Sequence, residues 1–99
     1  MYAVKVSVNK VIDYGQPYWV ECELIDAYGV KHVIHEKLPV VTEFYNDDVD
    51  FPIDGLVYCE IIKSENDHVT INTENPIGIE SVNGETIFTV LKSQIVEVN

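Results

Sequence analysis

The sequence predicts an all-β domain, a small barrel of about seven or eight short antiparallel strands. Three observations lead there. Apolar and polar residues alternate in short runs, separated by turn-forming clusters at spacings of roughly 8–12 residues. No stretch carries apolar residues at helical spacing for long enough to make an amphipathic helix. Finally, Asn83-Gly84 sits between two apolar runs, a strong short-range hairpin signal.

The elements follow in order. Residues 2–8 alternate and extend towards Ile12 as a first strand, which ends at the turn Asp13-Tyr14-Gly15-Gln16-Pro17. Residues 18–25 form the second, with Val20, Cys22 and Leu24 on one face and Glu21 and Glu23 on the other. Asp26-Ala27-Tyr28-Gly29 suits a type I turn closed by a left-handed glycine, and residues 30–38 return as the third strand. A long connection, residues 39–54, comes next, and its part around 40–45 is expected to continue the strand after a bulge at Pro39. Residues 56–62 and 68–72 make a hairpin about the polar turn at 64–67, and Asn75-Pro76 breaks the chain again. Runs 77–81 and 85–90 flank Asn83-Gly84. A two-residue type I′ turn there pairs Val82 with Glu85, placing Ile77, Ile79, Phe88 and Val90 together on the core face.

Residues 91–94 read as a single turn and 95–98 as a closing strand. That ending, a hairpin, one turn and a last short strand, is similar in layout to SH3-like barrels, and an SH3-like barrel is the preferred arrangement. An OB-type barrel or a small sandwich is the alternative. A shared layout implies no function.

Ninety-nine residues make one domain with enough chain for one core. Six basic residues, all lysine, stand against 17 acidic ones, a net charge of −11. Phosphate binding needs clustered cations, and guanine is most often read by arginine, so nucleic acid is excluded as a partner. An anionic membrane surface is disfavoured for the same reason. The alternating start, residues 1–10, lacks the pattern of a signal peptide, which leaves a cytoplasmic location as the expectation. Cys22 and Cys59 both fall in apolar strand patterns and are expected as buried, reduced thiols, with a disulfide as the alternative only where their two strands are neighbours.

Chemical signatures fail one by one. His32 and His35 are three apart, a spacing that on a strand sends them to opposite faces, so they hold no metal together and read as surface or edge histidines. Asp48-Val49-Asp50-Phe51-Pro52-Ile53-Asp54 departs from a calcium loop at position 5 (Pro52), position 6 (Ile53) and position 12 (Cys59). No serine lies in a G-x-S-x-G context, and no glycine-rich phosphate loop is present, each of the five glycines being explicable by a turn or a strand end. Tyr14, Tyr18 and Trp19 could offer a peptide platform, but residues 91–95 lack the proline and tyrosine that complete an SH3 groove, so Trp19 is read as capping the barrel end. No cofactor and no enzymatic activity is expected.

The function expected is that of a non-enzymatic acidic interaction module covering a basic protein partner, for example an immunity- or inhibitor-type protein. The alternative is an accessory or regulatory domain holding a small ligand in the barrel mouth. The candidate surface is the long connection, with Glu43, Phe44, Tyr45, Asp47, Asp48, Asp50, Phe51 and Asp54. It combines length, uncompensated carboxylates and three aromatics. Phe51 is there either an anchor for the partner or a plug for the barrel end.

Overall fold

Alternation starting at Tyr2 runs past the first eight residues: in the computed structural model, which describes residues 1–44 and 49–99, β1 covers Tyr2–Asp13. It is followed by β2 (Trp19–Ile25), β3 (Lys31–Lys37), a helical turn α1 (Leu38–Val41), β4 (Ile53–Glu65), β5 (His68–Asn72), β6 (Ile87–Leu91), a 3-10 turn Lys92–Gln94, and β7 (Ile95–Glu97). All pairings are antiparallel, in the order β3-β2-β1-β4-β5-β6, with β7 lying against residues 2–4 of β1. Register shifts after Val8 and Val11 in β1, and after Ile61 in β4, bend the strands, and bulges of this kind increase local twist. The sheet therefore curls into a half-barrel. Two backbone bonds reach across its ends, Ala27 N–H to the Thr89 carbonyl (2.9 Å) and Val82 N–H to the Val33 carbonyl (2.8 Å).

The concave side holds the core. Val4, Val6 and Val8 of β1 face Val57, Gly55 and Ile53 of β4 in register, and Val20, Cys22 and Leu24 pack beside them from β2 as their alternation predicts. Ile71, Phe88 and Val90 close the other half. Among the described residues no helix is long and apolar enough to cross a membrane.

Three sequence expectations are corrected. The strand drawn through 40–45 gives way after Lys37 to α1, where Pro39 suits the first helical turn and Leu38 and Val41, three residues apart, both bury on the core. Residues 77–81 form no strand; β6 pairs with β5 instead, Phe88 opposite Ile71. The type I′ turn is replaced by a three-residue loop. Ser81 N–H donates to the Glu85 carbonyl (2.8 Å), Gly84 N–H donates to the Ser81 carbonyl (2.9 Å), and only Gly84 of the Asn83-Gly84 pair is left-handed, at φ 82°. The cause is local: Ser81 Oγ accepts from the amides of Asn83 (3.3 Å) and Glu85 (3.1 Å), which favours the longer loop. Ser81 rather than Val82 thus opposes Glu85; Ile79, Phe88 and Val90 are buried, whereas Ile77, in the turn at 73–77, is 49% exposed. The turn at Asp26 has the predicted form, with Gly29 at φ 80° and Asp26 Oδ1 accepting from Tyr28 and Val30 N–H.

Candidate functional site

The groove beside β4 begins with a missing side chain. A Cβ on Gly55 would lie 2.9 Å from the Val41 carbonyl oxygen and 2.6 Å from Val8 Cγ2, so only glycine lets α1 settle this close to the sheet. Gly55 therefore belongs neither to a turn nor to a strand end, contrary to its reading in the sequence. Thr42 then terminates α1 and redirects the chain. Its hydroxyl donates to the Leu38 carbonyl (2.8 Å) and accepts from Phe44 N–H (3.0 Å), which holds the Phe44 ring 48% exposed at the groove mouth.

The groove encloses about 940 Å³. Val40 and Phe44 line it from one side, Leu56 and Tyr58 from the strand, and Ile77 from the turn after β5. Among the described residues its charged side chains are Glu43 and Asp54 and one lysine, Lys5, which sits directly opposite Leu56 in the sheet. Of the candidate residues, the fold thus brings Glu43, Phe44 and Asp54 together. Asp50 is exposed, whereas Phe51 is half-buried against the core, the position of a plug. Tyr45, Asp47 and Asp48 lie outside the described residues.

Leu56, Tyr58 and Ile77 were not anticipated. Leu56 and Tyr58 had a signal, since Gly55-Leu56-Val57-Tyr58-Cys59 is apolar on both strand faces rather than alternating. Ile77 was hidden by the register assumed for the last hairpin.

A second cluster joins the two three-residue loops. His32, on the outer strand β3, is at a sheet edge, one form of the expectation. It pairs with Leu24 on the concave side, however, and its side chain is largely buried rather than at the surface. Its Nε2 lies 2.8 Å from Asp26 Oδ2 and its Nδ1 3.6 Å from Glu85 Oε1, while its ring meets Phe88 edge-on at 4.8 Å. Burial alone would raise the Asp26 carboxyl, but hydrogen bonds from His32 and from the amides of Val30 and Tyr28 outweigh it and hold the group below its ordinary value. Ser81 Oγ donates to Glu85 Oε1 (3.3 Å), so the hydroxyl faces a carboxylate and turn amides, not the imidazole a nucleophile would need.

His35 lies on the opposite face, as its spacing from His32 predicts, 3.1 Å from Glu21, to which Lys10 adds a contact at 3.7 Å. Trp19 also faces outward, opposite Asp13 and Lys37, with the Lys37 ammonium 5.6 Å from its ring centroid; it does not cap the barrel end. Four of the six lysines, Lys5, Lys10, Lys31 and Lys37, therefore project from this convex β1–β3 surface.

Cys22 opposes Val8 and Cys59 opposes Tyr2, six residues apart along β1 or roughly 20 Å at strand rise, so the two thiols cannot bridge. Both are buried and free. Burial pushes Cys22 up to about 12, with a smaller contribution from Glu36 and Glu21, and Cys59 up to about 11. Among the described residues no group of three or more His, Cys, Asp or Glu side chains is placed to hold a metal ion. No protein-family model, curated protein or solved structure matches the chain.

Proposed function

We propose that the chain is a non-enzymatic acidic interaction domain that covers a basic protein partner with its α1–β4 groove. The observation that carries this reading is Phe44, an aromatic ring half in water at the mouth of an apolar groove, flanked by Glu43 and Asp54. Large aromatic side chains supply desolvated contact area, and surrounding carboxylates steer and orient a cationic partner. A net charge of −11 adds long-range attraction for such a partner. One concrete form is an immunity- or inhibitor-type protein that covers a basic toxin. The other expectation, a small ligand in the barrel mouth, would have to share the interior with Leu38 and Val41, both buried there.

Within the all-β class we read the half-barrel as SH3-like in layout, supported by the 3-10 turn that returns β7 to β1. A reducing, cytoplasmic location is supported by two buried thiols too far apart to pair.

Binding to a lysine-rich peptide at increasing salt tests the proposal. Phe44→Ala should weaken binding about tenfold, as losing an aromatic anchor does, at unchanged melting temperature. Glu43→Gln with Asp54→Asn should flatten the salt dependence. Equal affinity and equal salt response in all three proteins would overturn it.

A further inference from the structure

β4 is paired unequally along its length. β1 covers residues 53–59 from one side, but β5 joins the other side only from Glu60 onward, because the chain leaves the sheet after Asn72 into the turn at 73–77. Among the described residues no backbone hydrogen bond from outside the sheet reaches residues 53–59. An open edge of this kind presents a row of main-chain donors and acceptors to any extended chain.

The outer strands β3 and β6 are protected. β3 carries Lys31 and Lys37 at its two ends, and its Val33 carbonyl takes the Val82 amide. In β6 the Thr89 carbonyl takes the Ala27 amide. Edge lysines and covering loops are the usual devices against unwanted strand pairing. Residues 53–59 of β4 contain no lysine and are apolar on both faces from Gly55 onward. The groove containing Leu56, Tyr58, Phe44 and Ile77 runs beside this same stretch.

Resting on the basic-partner reading above, we propose that this edge of β4 takes an extended, lysine-bearing segment of the partner as an additional strand. Side chains of an added strand point alternately to its two faces. Asp54, Leu56 and Tyr58 share one face of β4, so the set above that face meets the Asp54 carboxylate and the apolar lining together, and the segment that fits carries basic and apolar residues two apart. A second copy of this chain is the poorer occupant. It would bring its own Glu43 and Asp54 against these two, between molecules that each carry −11.

The test uses the full chain, labelled for amide hydrogen exchange, and two peptides of one sequence with lysine and valine two residues apart on the same strand face, one with every second amide N-methylated. Charge and side chains match; only one row of backbone donors is removed. Strand addition predicts that the unmodified peptide slows exchange at alternate amides within 53–59 and binds about tenfold more tightly than its methylated partner. Equal, salt-sensitive binding of both peptides without slowed exchange there would overturn strand addition and leave the basic-partner reading standing. Failure of both to bind at low salt would overturn both. Slowing at 53–59 that grows with protein concentration in the absence of peptide would assign the edge to a second copy instead.

Discussion

Gly55→Ala adds a single methyl group at the point where α1 meets the sheet. The new carbon would stand 2.6 Å from Val8 Cγ2, 2.9 Å from the Val41 carbonyl oxygen and 3.4 Å from Val6 Cγ2. Relief is hard to find. Val8 is fully buried and β-branched, hence stiff at χ1, and the Val41 oxygen belongs to the backbone of α1. Overpacking of this kind costs about 1–3 kcal/mol. Removing a glycine from the unfolded chain returns about 0.4–1 kcal/mol. The net loss is then about 1–2 kcal/mol, and at about 4–8 °C per kcal/mol for a domain of this size the melting temperature should fall by roughly 4–16 °C. The least costly relief is outward movement of α1, so exchange of the Thr42 amide, bonded to the Leu38 carbonyl at 3.0 Å, should accelerate before global unfolding. Urea and thermal melts read the first effect and hydrogen exchange the second. An unchanged or higher melting temperature would refute the claim that Gly55 is required by close approach.

Phe88→Ala, which empties a site only 4% exposed, should cost about 3–5 kcal/mol in urea denaturation; a loss under about 1 kcal/mol would contradict its place in the core. Asp26 has a depressed folded pKa, so its contribution is present in full above the unfolded value of about 3.9 and is lost as pH falls below it. Asp26→Asn should lower stability at neutral pH and make the acid limb of a melting-temperature profile shallower, and an equally steep limb would contradict the coupling. Native protein at pH 8 should react slowly with a thiol reagent, then show two free thiols once unfolded without reductant, since burial holds both cysteines protonated.

What the sequence made legible was local. The faces of β2, the left-handed Gly29 loop and the separation of His32 from His35 each follow from residues within a few positions of one another. The last hairpin failed because two local signals competed. Asn83-Gly84 favours a two-residue turn, but the Ser81 hydroxyl two positions earlier caps the turn amides and stabilises a three-residue loop. Residues 77–81 then form no strand, and Ile77, in the turn at 73–77, is exposed although Ile79, two residues on, stays buried. α1 was missed for a different reason. Four residues carry too little periodicity to read, and the feature that seats α1, Gly55, lies fourteen positions beyond Val41.

The candidate surface was half legible by the same logic. Acidic residues and aromatics can be counted along residues 39–54, but which aromatic stays in water depends on what each packs against. Phe44 stays out because Thr42 binds both the Leu38 carbonyl and the Phe44 amide, ending α1 just before the ring. Phe51 goes in because it precedes β4 and packs on the core that β1 and β4 build. The open edge is more remote still from any motif. It is created by a mismatch in pairing lengths, with β4 of 13 residues against β5 of 5, and among the described residues the difference leaves 53–59 paired on one side alone. Lysine placement then separates a managed edge from an unmanaged one: β3 begins and ends with lysine, while the first seven residues of β4 contain none. Substituting Leu56 by lysine would give that edge the device it lacks. If edge protection is the right reading, this change should block addition of a strand while leaving Phe44, and attraction to a basic surface, in place.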